Sequence, residues 1–343
     1  MAYTVSLLIC KLLTADEVLC PFYARNIFYM VKKRNLLNRY WLKYTDRASY
    51  KTYKWEVTNY KTAELANFLT GNARLTNIHK IKGTAAINKQ LNFNHSGNAG
   101  DIIYALPTIK KIHELVQVPV SLYLRPNQPL KVSHANNHPL GNVMLNDKVI
   151  EMLTPLINPQ AYINYCGPLT NQQVDIDLDF FRAGIVPQDK GNIAHWCGYI
   201  TGVNPELWKK WLHVKPNSAF TAEVIIARSE RYRNTLIDYS FLKKYSKLKF
   251  IGVEAEFKNI RQYIPHIEWV QVTDFLEMAE IIAGCKFFIG NQSFPFSIAE
   301  ALKVPRILEV SLEVINVIPE GENGYDFLFQ DHFETLVGDL YNQ

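Results

Sequence analysis

Lys286-Phe287-Phe288-Ile289-Gly290-Asn291-Gln292-Ser293-Phe294-Pro295-Phe296-Ser297-Ile298-Ala299-Glu300-Ala301-Leu302-Lys303-Val304-Pro305-Arg306-Ile307-Leu308-Glu309-Val310 reads as strand, loop, helix and strand. An apolar run too short for a helix ends at Gly290, small polar residues turn the chain, and a helix begins around Pro295. Continuous apolar strands separated by a helix are the pattern of a parallel sheet covered on both faces. The turn leaves free amides at a helix start, which suits them to an anion such as a diphosphate. Asn291, Gln292 and Ser293 are therefore candidate diphosphate-binding residues.

The same alternation extends outward from this segment. Val224–Ala227, Lys249–Val253 and Trp269–Val272 read as strands, with helices expected over Phe241–Tyr245, Phe275–Ala283 and Phe296–Leu302. An earlier series comprises strands Leu91–His95, Val118–Leu124 and Ala161–Cys166 and helices Asp101–Val116 and Asn192–Thr201. The expected fold class is α/β: two doubly wound, Rossmann-like domains facing across a cleft, hinged near residues 213–221, with a mostly helical N-terminal extension. Residues 1–88 form the extension, 89–215 the first domain and 216–343 the second. Ligands of such sheets bind outside the carboxyl ends of strands.

In the first domain the informative segment is Ser96-Gly97-Asn98-Ala99-Gly100-Asp101-Ile102-Ile103-Tyr104-Ala105-Leu106-Pro107. Gly97, Asn98 and Gly100 let the backbone approach a substrate. Asp101 reads two ways: as a general base for an acceptor hydroxyl, or as a cap of its own helix. His95, at the strand end, is either a second base or a ring hydrogen-bonded in place.

Together the two segments resemble glycosyltransferase family 9, the heptosyltransferase-type enzymes of GT-B architecture. Gly100-Asp101 with Leu106-Pro107 matches the family's first element. Ile289-Gly290-Asn291, Ser293, Pro295, Ala299, Ala301 and Pro305 match its second, and the resemblance covers roughly residues 90–330. Where the family has Asp, Gly and His, this chain has Gln292, Phe294 and Ser297. The resemblance implies transfer of a sugar from a nucleotide-diphosphate sugar to a glycan or other hydroxyl acceptor, inverting and metal-independent, with no resident cofactor. Asp101 would be the base. The departures keep open the alternative of an inactive GT-B-derived module that binds a nucleotide or nucleic acid.

Ala227-Arg228-Ser229-Glu230-Arg231-Tyr232-Arg233-Asn234 follows the first strand of the second domain, where the family meets the donor phosphates. Arg228, Ser229, Arg231 and Arg233 are candidates to hold a departing diphosphate, unless the loop is only a solvated charge run. Glu254, at the next strand's end, is a candidate for ribose hydroxyls or a surface residue. Asp175-Ile176-Asp177-Leu178-Asp179 is the nearest match to a metal motif. It reads better as an edge strand with its acids facing water, so no metal ligands are assigned. Arg125–Gly141, rich in Pro, Asn and His, reads as a long surface loop past which an acceptor would enter.

The whole chain of 343 residues is 48% hydrophobic and 20% charged, enough for about two domains. Its five cysteines, Cys10, Cys20, Cys166, Cys197 and Cys285, form no C-x-x-C pair, so neither a disulfide framework nor a thiolate zinc site is expected. No apolar run spans a bilayer and no secretory leader is expected, giving a cytoplasmic protein, peripheral to the inner face of a membrane if the extension binds lipid. The net charge of +5 hides an asymmetry: residues 1–90 carry 15 Lys and Arg against 5 Asp and Glu. Aromatics are interleaved with these charges, among them Tyr40, Trp41, Tyr44, Tyr53 and Trp55. Two readings stand, a helical cap with its aromatics packed on the core, or a surface for an anionic lipid or nucleic acid.

Overall fold

The computed structural model describes residues 34–70, 77–128, 143–182, 186, 188 and 191–343. The cap-like start expected at Thr14–Glu17 and most of the 125–141 loop lie outside these residues. The chain divides into a unit ending at Gly71 and a second spanning Asn72–Gln343.

In the first unit, α1 (Leu36–Thr45) and α2 (Arg47–Thr70) form a helical pair. The Asn35 side chain caps α1 by accepting from the Asn38 amide at 2.8 Å, and Asp46 caps α2 by accepting from the Ser49 amide at 3.0 Å. The helix expected only over Lys61–Leu69 is thus the end of a longer one. Leu42 is buried, and the Tyr53 hydroxyl accepts from the Arg34 amide at 3.0 Å.

The second unit starts before the boundary at residue 89. Helix α3 (Ile78–Asn88) buries Ile81 and Ala85 in the core. It therefore packs with the α/β body, because a short helix is held by tertiary burial of one face rather than by propensity. Strands β1 (Leu91–His95), β2 (Val120–Leu124), β3 (Tyr165–Pro168) and β4 (Ile176–Asp177) form a parallel sheet in the order β3-β2-β1-β4. Helices α4 (Ala99–Val116), α5 (Asp147–Ile157) and α6 (Trp196–Thr201) belong to this half.

A six-stranded sheet follows, built from β5 (Val224–Ala227), β6 (Leu248–Phe250), β7 (Glu268–Trp269), β8 (Phe287–Asn291), β9 (Arg306–Glu309) and β10 (Gly324–Phe327). Its order is β10-β9-β8-β5-β6-β7, with every pairing parallel. Counted from β5 this is the 3-2-1-4-5-6 winding of a dinucleotide-type fold. Helices α7 (Glu254–Tyr263), α8 (Phe275–Gly284), α9 (Phe294–Leu302) and α10 (Gln330–Asn342) accompany it. The chain is α/β with two doubly wound sheets.

Residues of both sheets' helices, Ile102, Ile109, Leu153, Ile281, Phe296 and Ile298 among them, share one continuous buried cluster. The connection between the halves is pinned rather than free. Pro107 sits inside α4 and cannot donate to the Ile103 carbonyl, which instead accepts from the buried Trp211 indole at 3.1 Å. The Trp211 backbone amide donates to the Ala301 carbonyl at 3.1 Å, so one residue of the connection ties α4 to the end of α9.

Asp175, Asp177 and Asp179 do not stand on one water-facing strand. Only Ile176–Asp177 pairs with β1, and Asp179 lies in a 3-10 turn (Leu178–Arg182). Asp175 accepts from the Asn92 amide at 2.8 Å, and Asp177 accepts from the Asp179 amide at 3.0 Å. Burial lifts the Asp177 carboxyl above its usual value. Asp175 and Asp179 accept from amides in and just after β1, and Asp177 from the turn, because a pairing this short leaves backbone donors that need acceptors.

Candidate active site

A sheet wound in both directions from its first strand has a crevice between that strand and the next one added on its far side. This chain has two, at the carboxyl ends of β1 and β4 and at those of β5 and β8. The candidate residues fall mostly at these places.

At the first crevice, Asp101 is the third residue of α4 and accepts from the Asn98 amide at 3.2 Å, forming a capping box with it. The same Oδ2 accepts from the Arg182 guanidinium at 2.7 Å. Arg182 donates its other terminal nitrogen to Asp179 at 2.6 Å, and Asp179 also accepts from the Ser96 amide at 3.0 Å. Burial would raise the Asp179 carboxyl, but His95, Arg182 and the Ser96 bonds outweigh it and hold the group below its usual value. Arg182 is thus shared between two carboxylates, and its guanidinium lies 4.3 Å from the centre of the Phe181 ring. Both readings of Asp101 hold at once: it caps its helix, and it remains partly exposed in the crevice.

His95 is not placed as a base. Its ring is fully buried, and Nδ1 accepts from the Gly97 amide at 2.9 Å, which occupies the lone pair a proton would take. Burial lowers its pKa to about 4, against the pull of Asp179. The neutral ring carries its proton on Nε2, which is buried without a partner among the described residues. Gly97 is required: a Cβ there would collide with the Arg182 guanidinium, the His95 ring and the Asp101 carboxylate. Gly100 is not, since a Cβ there would meet Phe294 Cα at 3.8 Å and Ser297 Oγ at 3.9 Å, ordinary contact distances.

Those distances locate the two sequence segments against each other. The start of α4, following β1, abuts the start of α9, following β8. The Ser297 hydroxyl turns inward to the Phe294 carbonyl at 2.6 Å, and the Phe294 ring packs on Phe275 with centroids 4.3 Å apart.

At the second crevice, Asn291 is fully buried and stitches the loops after β5 and β8 together. Its amide donates to the carbonyls of Ser229 at 2.9 Å and Arg231 at 2.8 Å, while its oxygen accepts from the Ser229 amide at 3.0 Å. Gln292 accepts from the Ser311 amide at 3.0 Å and donates to Asn316 at 2.8 Å. Ser293 occupies the cap position of α9.

Arg228 departs from its expected place at the diphosphate. Its guanidinium is buried and forks onto Glu309 at 2.7 and 2.9 Å, over the face of Tyr239. Glu309 further accepts from the Tyr239 hydroxyl at 2.8 Å and the Asn234 amide at 2.6 Å. A carboxylate buried in β9 needs a cation beside it, and Arg228 fills that need from the end of β5, two strands away in the same sheet. Arg231 and Arg233 differ. Arg233 donates to the Ser229 carbonyl at 3.0 Å and to Asn259 at 2.8 Å, and among the described residues neither arginine pairs with a carboxylate within 4.0 Å.

Glu254 is the first residue of α7, its carboxylate largely exposed and paired with Lys258 at 2.8 Å. The acid turned toward the arginine loop is Glu256. Burial raises its pKa, opposed by the Val253 amide and by Arg233. Arg182, Asp179, Glu256 and Glu309 were not assigned from sequence. The usable signals were an Asp-x-x-Arg spacing and an acid within an apolar strand.

Cys166, Cys197 and Cys285 are free and buried, and burial pushes the Cys166 and Cys285 thiols up to about 12, so they are structural. Among the described residues no group of His, Cys, Asp and Glu side chains is arranged to hold a metal ion, and no helix is long and apolar enough to cross a membrane.

No protein-family model and no curated protein sequence matches this chain. Solved structures do. A glycosyl transferase of family 9 from Veillonella parvula aligns over 74% of this chain and 89% of its own, with a TM-score of 0.45 at 9% identity. The ADP-heptose lipopolysaccharide heptosyltransferase II of E. coli aligns over 74% and 99%, with a TM-score of 0.46 at 10% identity. The E. coli heptosyltransferase WaaC, in complex with ADP-2-deoxy-2-fluoro heptose, aligns over 73% and 99%, with a TM-score of 0.41 at 9% identity. These are the solved structures this chain is similar to, each at low identity.

Proposed function

We propose that the chain transfers a sugar from a nucleotide-diphosphate sugar to an acceptor hydroxyl, with inversion and without a metal. The observation that carries this reading is the meeting of two helix starts, those of α4 and α9, at the switch points of two doubly wound sheets. A carboxylate lies on one side of that meeting, and on the loop of the other lie two arginines without a carboxylate within 4.0 Å among the described residues.

In this reading Asp101 takes the proton of an acceptor hydroxyl as its oxygen attacks the anomeric carbon from the face opposite the nucleotide. The bond to the diphosphate breaks through an oxocarbenium-like transition state. Arg182 orients the carboxylate. When Asp101 is protonated, Arg182 still faces Asp179, so no unpaired cation is left in the crevice. The departing diphosphate gains charge against Arg231 and Arg233 on the loop after β5, where fixed positive charge is most effective. Arg228 acts only by holding the loop.

Asp101→Asn is the test. Transfer, screened with ADP-, GDP-, UDP- and CMP-sugars, falls by about 10²- to 10⁴-fold, while donor binding, read by thermal shift, is retained. Normal turnover in that variant removes the assignment.

A second reading has an observation of its own. Arg228, Asn291 and Gln292 have their polar capacity consumed inside the fold, as a nucleotide-binding module without turnover would allow. Stabilisation by a nucleotide sugar with neither hydrolysis nor transfer selects that reading.

A further inference from the structure

We infer that the outward face of α1 docks the chain onto an anionic lipid surface. On a helix, residues 36, 37, 40, 41 and 44 fall within one stripe, and here they are Leu, Leu, Tyr, Trp and Tyr. The opposite side carries Leu42, buried within the first unit. The stripe is open: Leu37 is 81% exposed, Tyr44 78% and Trp41 65%. Helices of soluble proteins seldom leave two leucines and three aromatics together in water.

The occupant is indicated by charge and by residue type. Arg39 and Lys43 border the stripe, and residues 34–58 hold six lysines and arginines against Asp46 and Glu56. Asp46 is engaged as the cap of α2. A basic margin beside an apolar face is the arrangement of a helix lying in the headgroup layer, with Trp and Tyr at the boundary and Leu beneath it. Nucleic acid would use the cations and could stack on the aromatics, but it offers nothing for Leu36 and Leu37. Anionic lipid answers all three features. Trp55 of α2, 69% exposed, extends the aromatic surface of the unit.

The inference stands apart from the catalytic reading, because vesicle binding is measured without any sugar. The experiment is flotation of the full-length chain with vesicles of phosphatidylcholine alone or mixed with phosphatidylglycerol, at low and high salt. The wild type is expected to float with the mixed vesicles at low salt and to be released as salt rises. Leu37→Ser/Trp41→Ser, at exposed positions that leave the fold intact, is expected to abolish flotation. Arg39→Ala/Lys43→Ala weakens it by about 25-fold, roughly fivefold per charge lost. Failure of the wild type to bind mixed vesicles overturns the inference, as does unaltered binding by both double variants. A halved mass in solution for Leu37→Ser/Trp41→Ser, without any vesicle binding by the wild type, assigns the face to a second copy. Retention on single-stranded RNA without vesicle binding assigns it to nucleic acid.

Discussion

Arg228→Met separates a residue that holds the fold from one that holds a ligand. Arg228 is 5% exposed, and Glu309, its bidentate partner, is wholly buried. Removing the arginine leaves a carboxylate in the sheet whose remaining partners are the Tyr239 hydroxyl and the Asn234 amide. Breaking one side of such a pair costs about 3–5 kcal/mol, since the surviving charge has no solvent to return to. For a unit of this size each kcal/mol moves the melting point by roughly 2–4 °C, so a fall of roughly 6–20 °C is expected. Urea unfolding, followed by tryptophan fluorescence, reads the same loss as a lower midpoint at unchanged slope. Arg228→Met with Glu309→Gln removes both charges while keeping an amide oxygen for Tyr239 and Asn234, and recovers part of the loss. Arg231→Ala, on the same loop without a carboxylate partner, leaves the midpoint unchanged and weakens nucleotide-sugar binding. The reasoning is refuted if Arg228→Met unfolds like the wild type yet loses nucleotide-sugar affinity, because the guanidinium would then be serving a ligand.

Gly97→Ala places a methyl where the Arg182 guanidinium lies, so Arg182 leaves Asp101. Turnover should fall with little change in donor affinity, and equal turnover would show that Arg182 does not orient the carboxylate. The buried His95 ring gives stability a pH dependence of known sign. The unfolded ring binds a proton below about pH 6.5 while the folded ring stays neutral down to about 4. Stability therefore falls as pH drops through that window, by about 3 kcal/mol in all. In His95→Phe the slope of the unfolding midpoint against pH over that window should flatten, and an unchanged slope would place the titration elsewhere. Trp211→Ala deletes the indole that bonds the Ile103 carbonyl and empties a fully buried site, costing about 3–5 kcal/mol, read by denaturant unfolding.

The alternation of apolar runs was legible because strands buried on both faces have no polar residues to confuse the pattern. Val224–Ala227 matches β5 residue for residue, and the start of α9 lies within two residues of the expected one. Elements that lie at an edge or on the surface were not legible. The pair Ile176–Asp177 is too short to show a period, α5 begins at Asn146-Asp147 within a polar region, and α10 follows β10 at the end of the chain where no motif marks it. Ala161–Cys166 was displaced: residues 161–164 turn, and the strand is Tyr165–Pro168. Pairing decides that register, since Ser121 to Leu124 of β2 set which residues lie opposite. At the candidate site the sequence located the loops but not the partners. Which carboxylate meets which guanidinium depends on where separate segments come to rest, as Arg182 with Asp101 and Arg228 with Glu309 both show.

The three departures from the family's second motif are each absorbed by packing. Gln292 spans the Ser311 amide and Asn316, Phe294 packs at a tilt on Phe275 while lying against Gly100, and Ser297 donates to the Phe294 carbonyl. Where the motif it resembles has an acid, a glycine and a histidine, this chain has groups that fix the loop before α9 without leaving a charge in it. Replacing an acid by Gln292 removes a repulsion that any diphosphate there would meet, so anion binding by the helix start is favoured by the exchange rather than lost. What the exchange removes is a titratable group on the donor side. In the opposite crevice the His95 lone pair is taken by Gly97 and Asp179 is held ionised beside Arg182, so the proposed proton transfer rests there on Asp101. Restoring the acid as Gln292→Asp should therefore weaken nucleotide-sugar binding without raising turnover, as read by titration of the donor and by transfer at saturation. A gain in turnover would show that the donor side had lost a catalytic group, and that Asp101 alone does not account for the chemistry.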